Sequence, residues 1–336
     1  MTRPSQVQLT SRPAPDDPVT VLCITGWCRN GSTIIGNVLN EIPGFVHVGE
    51  LHFLWKNAAG LGANSRCGCG EPLTACPYWS ARIAELLPDG VPLDRYAAEV
   101  VRRQRACVRT RHTWRVLRHG PDGSAGRDIA AHAGLMARTY QAIARTTGAR
   151  VIVDTSKIPG EAALLPYLPG VRPCFVHLVR DPRAVAASWR QPKDYVYAMP
   201  AAKSTAYWTG FNLAARAIVR RYPEQSVVLR YEEFVARPRA TVGRLLALCG
   251  ADEAANPVSG RTVDLHGNHT VTGNPDRFLT GPTVLRDADD RWLTELPRRA
   301  RTAATLLAWP MLRGYGYRYA RPLVLAGEGS AVGHRA

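Results

Sequence analysis

"VLCITGWCRNGSTIIGNVLNE", residues 21–41, passes from an apolar run through a polar, glycine-marked turn into an amphipathic run. Val21, Leu22, Cys23 and Ile24 suit a buried strand. Ile34, Ile35, Val38, Leu39 and Ile42 recur at helical spacing, so one face of the next segment turns inward. Gly26 and Gly31 permit a sharp turn and the close approach of a ligand. Arg29, Asn30, Gly31, Ser32, Thr33 and Ile34 therefore stand where a helix opens. Backbone N–H groups, the positive end of the helix dipole, two hydroxyls and a guanidinium converge there. Such a place suits an anion, above all a phosphate.

The loop departs from that of a nucleotide triphosphatase, which reads G-x-x-x-x-G-K-[ST]. Gly26 and Gly31 keep the spacing, but Ser32 stands where the lysine is needed, and the nearest cation is Arg29. A nucleotide ending in one 5′ phosphate, or in a group attached to it, fits better than a triphosphate with magnesium. The glycine spacing still keeps a small-molecule kinase or nucleotide triphosphatase open as an alternative. In that reading Asp154 of "VIVD" is the magnesium ligand.

Beyond this loop, strands and helices alternate. Strands are expected at 20–25, 45–48, 151–154, 174–179 and 227–229. Helices are expected at 78–87, 93–105, 129–147, 182–189, 201–221 and 239–248, with a long loop at 55–64. That alternation predicts an α/β fold with a mostly parallel central sheet flanked by helices. Ligands then gather at the carboxyl ends of the strands. Arg29, Glu50, residues 154–157, and Arg180 with Asp181 all follow strands. Residues 1–18 read as a flexible leader, 19–321 as one domain and 322–336 as a flexible tail.

Lysine and arginine number 43 against 27 acids, a net charge of +16 in 336 residues. The excess favours anionic ligands and keeps a noncatalytic polyanion-binding module open. The arginines are scattered, without finger spacing or aromatic RNA-binding motifs, so no specific nucleic-acid partner is expected. No apolar run approaches a membrane span, and the first residues lack a secretory apolar segment. Transmembrane insertion is not expected, and a cytoplasmic location is.

Eight cysteines in a chain this long do not make a disulfide scaffold. Cys23, Cys174 and Cys249 lie in apolar surroundings and read as buried thiols. Cys67, Cys69 and Cys76 form a local cluster with C-x-C-x6-C spacing. A packed loop is favoured over a metal site, which would need a fourth ligand from elsewhere, and a local disulfide stays open. His266 and His269 stand in H-x2-H spacing beside Asn268, without a nearby carboxylate, so no metal is assigned.

"FVHLVRDPRAVAASW", residues 175–189, supplies a second grip. Arg180 ends a strand and Ser188 lies about two helical turns later. A planar fork and a hydroxyl can hold one phosphate from two sides. Asp181 and Pro182 open the helix, and Arg183 reads as a solvated charge. Together the two sites describe a nucleotide with phosphates at separate ends.

With these residues in view, the chain resembles sulfotransferases that use 3′-phosphoadenosine 5′-phosphosulfate, among them the carbohydrate and protein-tyrosine enzymes. "CRNGSTI" matches the loop for the 5′-phosphosulfate, and Arg180 with Ser188 matches the 3′-phosphate grip. "VGELHFLW", "CGCGEPLTACPYW", "VIVDTSK" and "VVLRYEEF" continue the likeness, and "GNHTVTGNPDRF" resembles a late segment of bacterial Golgi-like members. The resemblance spans roughly residues 21–319. It implies a P-loop-like sulfotransferase fold, and a donor already activated, so that the reaction requires no metal. Asn30 and the Trp27–Cys28 pair depart from the common loop.

The resemblance also implies roles. Arg29 and the Ser32 and Thr33 amides would stabilise the leaving oxygen, with Lys157 as a second cation. Glu50, 21 residues after Arg29, matches the glutamate base of the carbohydrate and protein-tyrosine enzymes. His52 is the alternative base, and strand alternation places both on one side. Arg277 would be a further cation for the nucleotide phosphates, in a late loop where His269, Gly273 and Asn274 shape the closure or touch substrate. Residues 51–127 would form the variable acceptor wall, with aromatics that include Phe53, Trp55, Tyr78, Trp79 and Trp114. The acceptor is expected to be a small metabolite, carbohydrate or glycoconjugate.

Overall fold

Val21 and Cys23 pack into one apolar cluster and Leu22 and Ile24 into another, so the first strand is buried on both faces. Only a sheet covered on both sides buries consecutive residues in this way. The computed structural model describes residues 18–62, 64–122, 126–192, 197–286 and 290–318. The expected tail, 322–336, lies outside the described residues, as does the expected leader apart from exposed Pro18.

The chain runs β1 (Val19–Thr25), α1 (Ser32–Asn40), β2 (Phe45–Gly49), α2 (Leu54–Ala58), α3 (Pro77–Leu86), α4 (Leu93–Cys107), α5 (Thr113–His119) and α6 (Gly126–Thr147). It continues with β3 (Val151–Lys157), α7 (Pro159–Ala162), β4 (Val171–Val179), α8 (Pro182–Arg190), α9 (Ala201–Arg221), β5 (Ser226–Arg230), α10 (Tyr231–Ala236) and α11 (Pro238–Cys249). The hairpin strands β6 (Thr262–Leu265) and β7 (Gly281–Val284) follow, then α12 (Trp292–Glu295) and α13 (Arg298–Leu312).

Five strands form one sheet in the order β2-β3-β1-β4-β5. Every pairing in it is parallel, which fits the expected α/β class. Strand β1 is central, with β3 and β4 on either side. The loops that leave β1, β2, β3 and β4 at their carboxyl ends therefore open on the same edge of the sheet. One apolar cluster joins β1 to α3, α4 and α6, and the other joins it to α1 and α11. The antiparallel hairpin β6–β7 stands outside the main sheet and carries the loop 266–280 between its strands.

Two registers are irregular. Cys23 pairs with Asp154 but Thr25 with Lys157, so β3 carries one extra residue against β1. Lys157 itself has φ 65°, in the left-handed region. A bulge of this kind re-aims the side chain that follows it. Asp154 fixes the bulge from inside: its carboxylate accepts from Tyr140 Oη at 2.7 Å and from the Ser156 backbone N–H at 2.8 Å.

Several sequence expectations change here. The expected loop at 55–64 overlaps the helix α2, whose Leu54 and Trp55 bury against the core. Strand β3 runs on to Lys157, because the bulge extends pairing beyond the apolar run. Arg183 is not solvated: it is 1 % exposed, and its guanidinium meets the Asp181 carboxylate through Nε at 2.9 Å and Nη2 at 2.6 Å. Asp181 also caps α8 by accepting from the Arg183 N–H.

A buried pair broken on one side leaves an uncompensated charge. Arg183→Met should therefore destabilise the fold by about 3–5 kcal/mol in urea unfolding. A change below about 0.5 kcal/mol, as at an ordinary surface site, would contradict this burial.

Candidate functional site

The loop between β1 and α1 is fastened by its own side chains. Asn30, almost fully buried, donates from Nδ2 to the Leu178 carbonyl at 3.0 Å and accepts the Ser32 N–H at 3.3 Å. Its side chain thus ties the loop to β4. Gly31 has φ 90°, and a Cβ there would lie 2.2 Å from the Tyr231 ring, so this position admits no side chain. Arg29 is a second left-handed residue, with φ 70°. Its guanidinium lies 5.2 Å from the centre of the Trp189 ring. Trp27 stacks between Trp189 and Tyr207, with centroid distances of 5.6 and 5.0 Å.

Arg180 leaves the end of β4 and reaches this loop directly. Its Nη1 donates to the Arg29 carbonyl at 3.0 Å, and its guanidinium lies 4.9 Å from the Tyr231 ring centre. Arg180 of the expected second phosphate grip therefore adjoins the first loop. Ser188 sits half-buried on the last turn of α8, one residue before Trp189. Tyr231, which the sequence reading did not single out, braces both Gly31 and Arg180.

The bulge in β3 aims Lys157 inward. Its Nζ donates to Glu50 Oε1 at 2.7 Å, to the Thr155 carbonyl at 2.7 Å and to Ser32 Oγ at 3.3 Å. The lysine is 3 % exposed and Glu50 17 % by side chain, so this ion pair is largely out of solvent. Burial acts to lower the ammonium pKa, the Glu50 carboxylate opposes it, and the balance lies above the usual lysine value. The start of α1, the residue after β2 and the end of β3 thus meet at one ammonium group.

His52 takes another direction. It lies beyond β2 in a single 3-10 turn, Leu51–Phe53, so strand alternation does not relate it to Glu50. Its Nδ1 is 2.9 Å from Glu161 Oε1, an ion-pair distance, though off the line of a hydrogen bond. The same Glu161 oxygen bonds His132 Nε2 at 2.8 Å. Burial lowers the His52 pKa and Glu161 raises it, with a net upward shift. Burial likewise acts against the Glu161 charge, but the two imidazoles hold its pKa well below the usual carboxylate range. Phe53 packs edge-on to His52, whereas Trp55 is buried edge-on to Tyr96. A cavity of about 30 Å³ lies between these groups, lined by His52, Trp55, Gln104, His132 and Glu161.

The late loop is not a solvated surface loop. Asn268, Thr270, Val271, Thr272 and Arg277 are all buried. Val271 N–H donates to the Val48 carbonyl at 2.9 Å, and a Cβ on Gly49 would lie 2.7 Å from the Thr272 carbonyl oxygen. Asn274 N–H reaches Thr33 Oγ1 at 3.4 Å. Arg277 donates from Nη2 to Asn64 Oδ1 at 2.6 Å, beneath the Phe278 ring. This loop therefore packs on both the phosphate-type loop and the end of β2. His266 points elsewhere and pairs with Glu41 at 2.6 Å.

Asp154 does not offer a magnesium ligand in the manner of a triphosphatase. Its oxygens serve Tyr140 and Ser156, and burial raises its pKa above the usual aspartate value. Among the described residues no helix is long and apolar enough to cross a membrane.

A family model described as the sulfotransferase family matches residues 22–254. The chain is similar to the sulfotransferase domain of the olefin synthase of Synechococcus PCC 7002, with 19 % identity over 92 % of this chain and 98 % of that one, and a TM-score of 0.49. The sulfotransferase domain of the curacin biosynthetic pathway gives 15 % identity over 90 % and 98 %, with a TM-score of 0.48. Sulfotransferase STF9 of Mycobacterium avium gives 16 % identity over 91 % and 78 %, with a TM-score of 0.46. No curated protein sequence matches the chain.

The His52–Glu161 pair has a pH signature. The folded-state pKa of His52 lies above its ordinary value of 6.5. Its stabilising contribution is thus complete below about pH 6.5 and is lost as pH rises through the folded pKa. The thermal midpoint of the wild type should fall more between about pH 6 and pH 9 than that of His52→Gln. Parallel midpoint curves for the two proteins would contradict the pairing.

Proposed function

This chain belongs to the sulfotransferase family, and from that premise we propose that it moves the sulfuryl group of 3′-phosphoadenosine 5′-phosphosulfate to a hydroxyl of a small metabolite, carbohydrate or glycoconjugate. The observation that carries this reading is the Lys157 ammonium, held at once by Ser32 of the phosphate-type loop and by Glu50 on the opposite side. A cation so placed can follow charge from a donor phosphate while its carboxylate partner faces the acceptor.

In this reading the 5′ phosphate lies against the α1 N-terminus, Arg29, Ser32 and Thr33, and the 3′ phosphate against Arg180 and Ser188. The short link between Arg180 and the Arg29 carbonyl supports one ligand spanning both grips. The acceptor oxygen attacks sulfur in line. A new O–S bond forms as the S–O bond to the 5′ phosphate breaks, and the electron pair stays on the bridging oxygen. Lys157 and Arg29 stabilise that growing charge, an interaction stronger in the transition state than before it. As the ammonium is drawn toward the bridging oxygen, the Glu50 carboxylate takes the acceptor proton. Adenosine 3′,5′-bisphosphate leaves.

Glu50 suits the base better than His52 for a physical reason. Glu50 Oε1 touches the Lys157 ammonium at 2.7 Å, whereas His52 Nδ1 lies against Glu161 Oε1 at 2.9 Å. That place beside Glu161 makes His52 a support of the acceptor side. The late loop, through Thr272, Asn274 and Arg277, covers the end of β2 and the phosphate-type loop. That cover excludes water, which would otherwise compete as acceptor. The span 51–127 forms the wall in which acceptor choice resides.

Calorimetry tests the donor. Adenosine 3′,5′-bisphosphate should bind far more tightly than adenosine 5′-monophosphate, and Arg180→Ala should weaken it by about 1.5–3 kcal/mol, the worth of a charged hydrogen bond. That loss should vanish for the monophosphate. Equal affinities of the wild type for the two nucleotides would sink the two-ended grip.

Single-turnover transfer tests the base. Glu50→Gln should keep affinity for the bisphosphate while slowing sulfuryl transfer by about 10²–10⁴. His52→Gln should slow it far less. The reverse order of severity would make His52 the base.

A further inference from the structure

Four side chains outside the proposed reaction centre converge from two distant segments. Cys67, Cys69 and Cys76 come from the stretch between α2 and α3, and His269 from the late loop. Their ligand atoms all lie within 4.8 Å of one another. Cys67 and Cys76 sulfurs are 3.5 Å apart, and Cys69 and Cys76 sulfurs 3.6 Å. His269 Nδ1 lies 3.4 Å from Cys76 Sγ and 3.6 Å from Cys67 Sγ.

We propose that Cys67, Cys69, Cys76 and His269 bind one structural zinc ion, which staples the late loop to the acceptor-side wall. This replaces the packed-loop reading of the cysteines, because His269 supplies the fourth ligand that the local spacing lacks.

Four of the six ligand–ligand distances, 3.4–3.6 Å, are close to the edges of a tetrahedron around zinc, and the other two stay within 4.8 Å. Bonds of about 2.3 Å to sulfur and about 2.0–2.1 Å to nitrogen give edges of about 3.8 Å between sulfurs and about 3.6 Å from sulfur to nitrogen. The donor set is all thiol and imidazole, which selects zinc over magnesium or calcium. Four protein ligands close the coordination sphere, as in structural sites, whereas catalytic sites keep an open position. All three cysteines are unbridged, and three thiols cannot all be satisfied by disulfides among themselves.

The surroundings fix the ligands. The Cys67 N–H donates to the Glu71 carbonyl at 2.7 Å and the Gly70 N–H to the Cys67 carbonyl at 2.9 Å, closing a tight knuckle. Gly68 N–H donates to the Thr270 carbonyl at 2.9 Å, and a Cβ on Gly68 would lie 2.1 Å from Asn268 Oδ1. The Tyr78 ring stacks on His269 at 4.9 Å with planes 3° apart, and Trp79 Nε1 donates to the His269 carbonyl at 2.6 Å. Supports of this sort hold a ligating imidazole in place. A zinc ion with three thiolates and one imidazole carries a single net negative charge. Arg82, buried over the other ring of this stack at 3.8 Å from the Tyr78 centre, supplies a nearby positive one.

The staple would join residues 202 positions apart. Thr270, adjacent to His269, begins the stretch that packs on Gly49 and Thr33. Zinc would therefore set the position of the loop that covers the end of β2. The ion takes no part in the proposed transfer, and the site stands whether or not the donor assignment does.

The test measures metal in the untagged, full-length protein purified without chelator. Elemental analysis should give about one zinc per chain, and stepwise mercurial modification of thiols should release it. Cobalt(II) reconstitution should give the visible absorption of a tetrahedral thiolate site. His269→Gln should lower zinc content below about a tenth per chain, and His269→Cys, which restores four ligands, should retain it. Circular dichroism and gel filtration confirm that the proteins compared are folded. Folded wild type with no bound zinc and no zinc uptake would overturn the proposal, as would a native disulfide between any two of these cysteines. Equal zinc content in folded wild type and His269→Gln would overturn the ligand assignment.

Discussion

The buried ammonium of Lys157 is the constraint on which the site depends. A lysine taken out of water needs compensating acceptors, and here they are Ser32 at the start of α1, Glu50 just after β2 and the Thr155 carbonyl of β3 itself. To deliver the charge, β3 carries an extra residue, its last residue adopts a left-handed conformation, and Asp154 is held by Tyr140 and Ser156. The first two are local departures from regular strand geometry, and the third fixes them. Together they place a cation where β1, β2 and β3 end.

The same logic explains why the aromatic residues near the phosphate-type loop do not simply fill the core. Trp189 lies under Arg29 and Tyr231 under Arg180. A guanidinium over an aromatic face is held in position by that face. Asn30 works by another route, giving its amide to the backbone so that the loop keeps its shape. Arg29 and Arg180 are thus each braced by an uncharged aromatic neighbour.

Much of this was legible from the chain. The alternation of strands with helices announced a parallel sheet, and the limits of α9, 201–221, followed from pattern alone. Arg29, Glu50, Lys157 and Arg180 could be expected at one edge because each lies at or just after a strand end, and parallel topology sends strand ends the same way. What was hidden depended on partners far along the chain. Arg183 looks solvated until Asp181 is seen folding back on it. The role of Glu161 is invisible without His52 and His132, which come from different elements. The cysteine cluster lacked its fourth neighbour because His269 lies beyond most of the domain in sequence. Helix α2 was missed because its five residues are too few to show a period.

Strand order has a consequence for how the chain can be assembled. Strands β1 and β2 are consecutive in sequence but are never neighbours, because β3 lies between them. A nascent chain that ends before Val151 holds two strands with no shared edge and cannot begin the sheet by zipping adjacent segments. The two must remain apart, with apolar faces unsatisfied, until the third is made. Contacts across that span carry a large loop-closure cost and slow folding. Helices α3, α4 and α6, which are synthesised in the interval, can shield part of that exposed surface while the central position is still open.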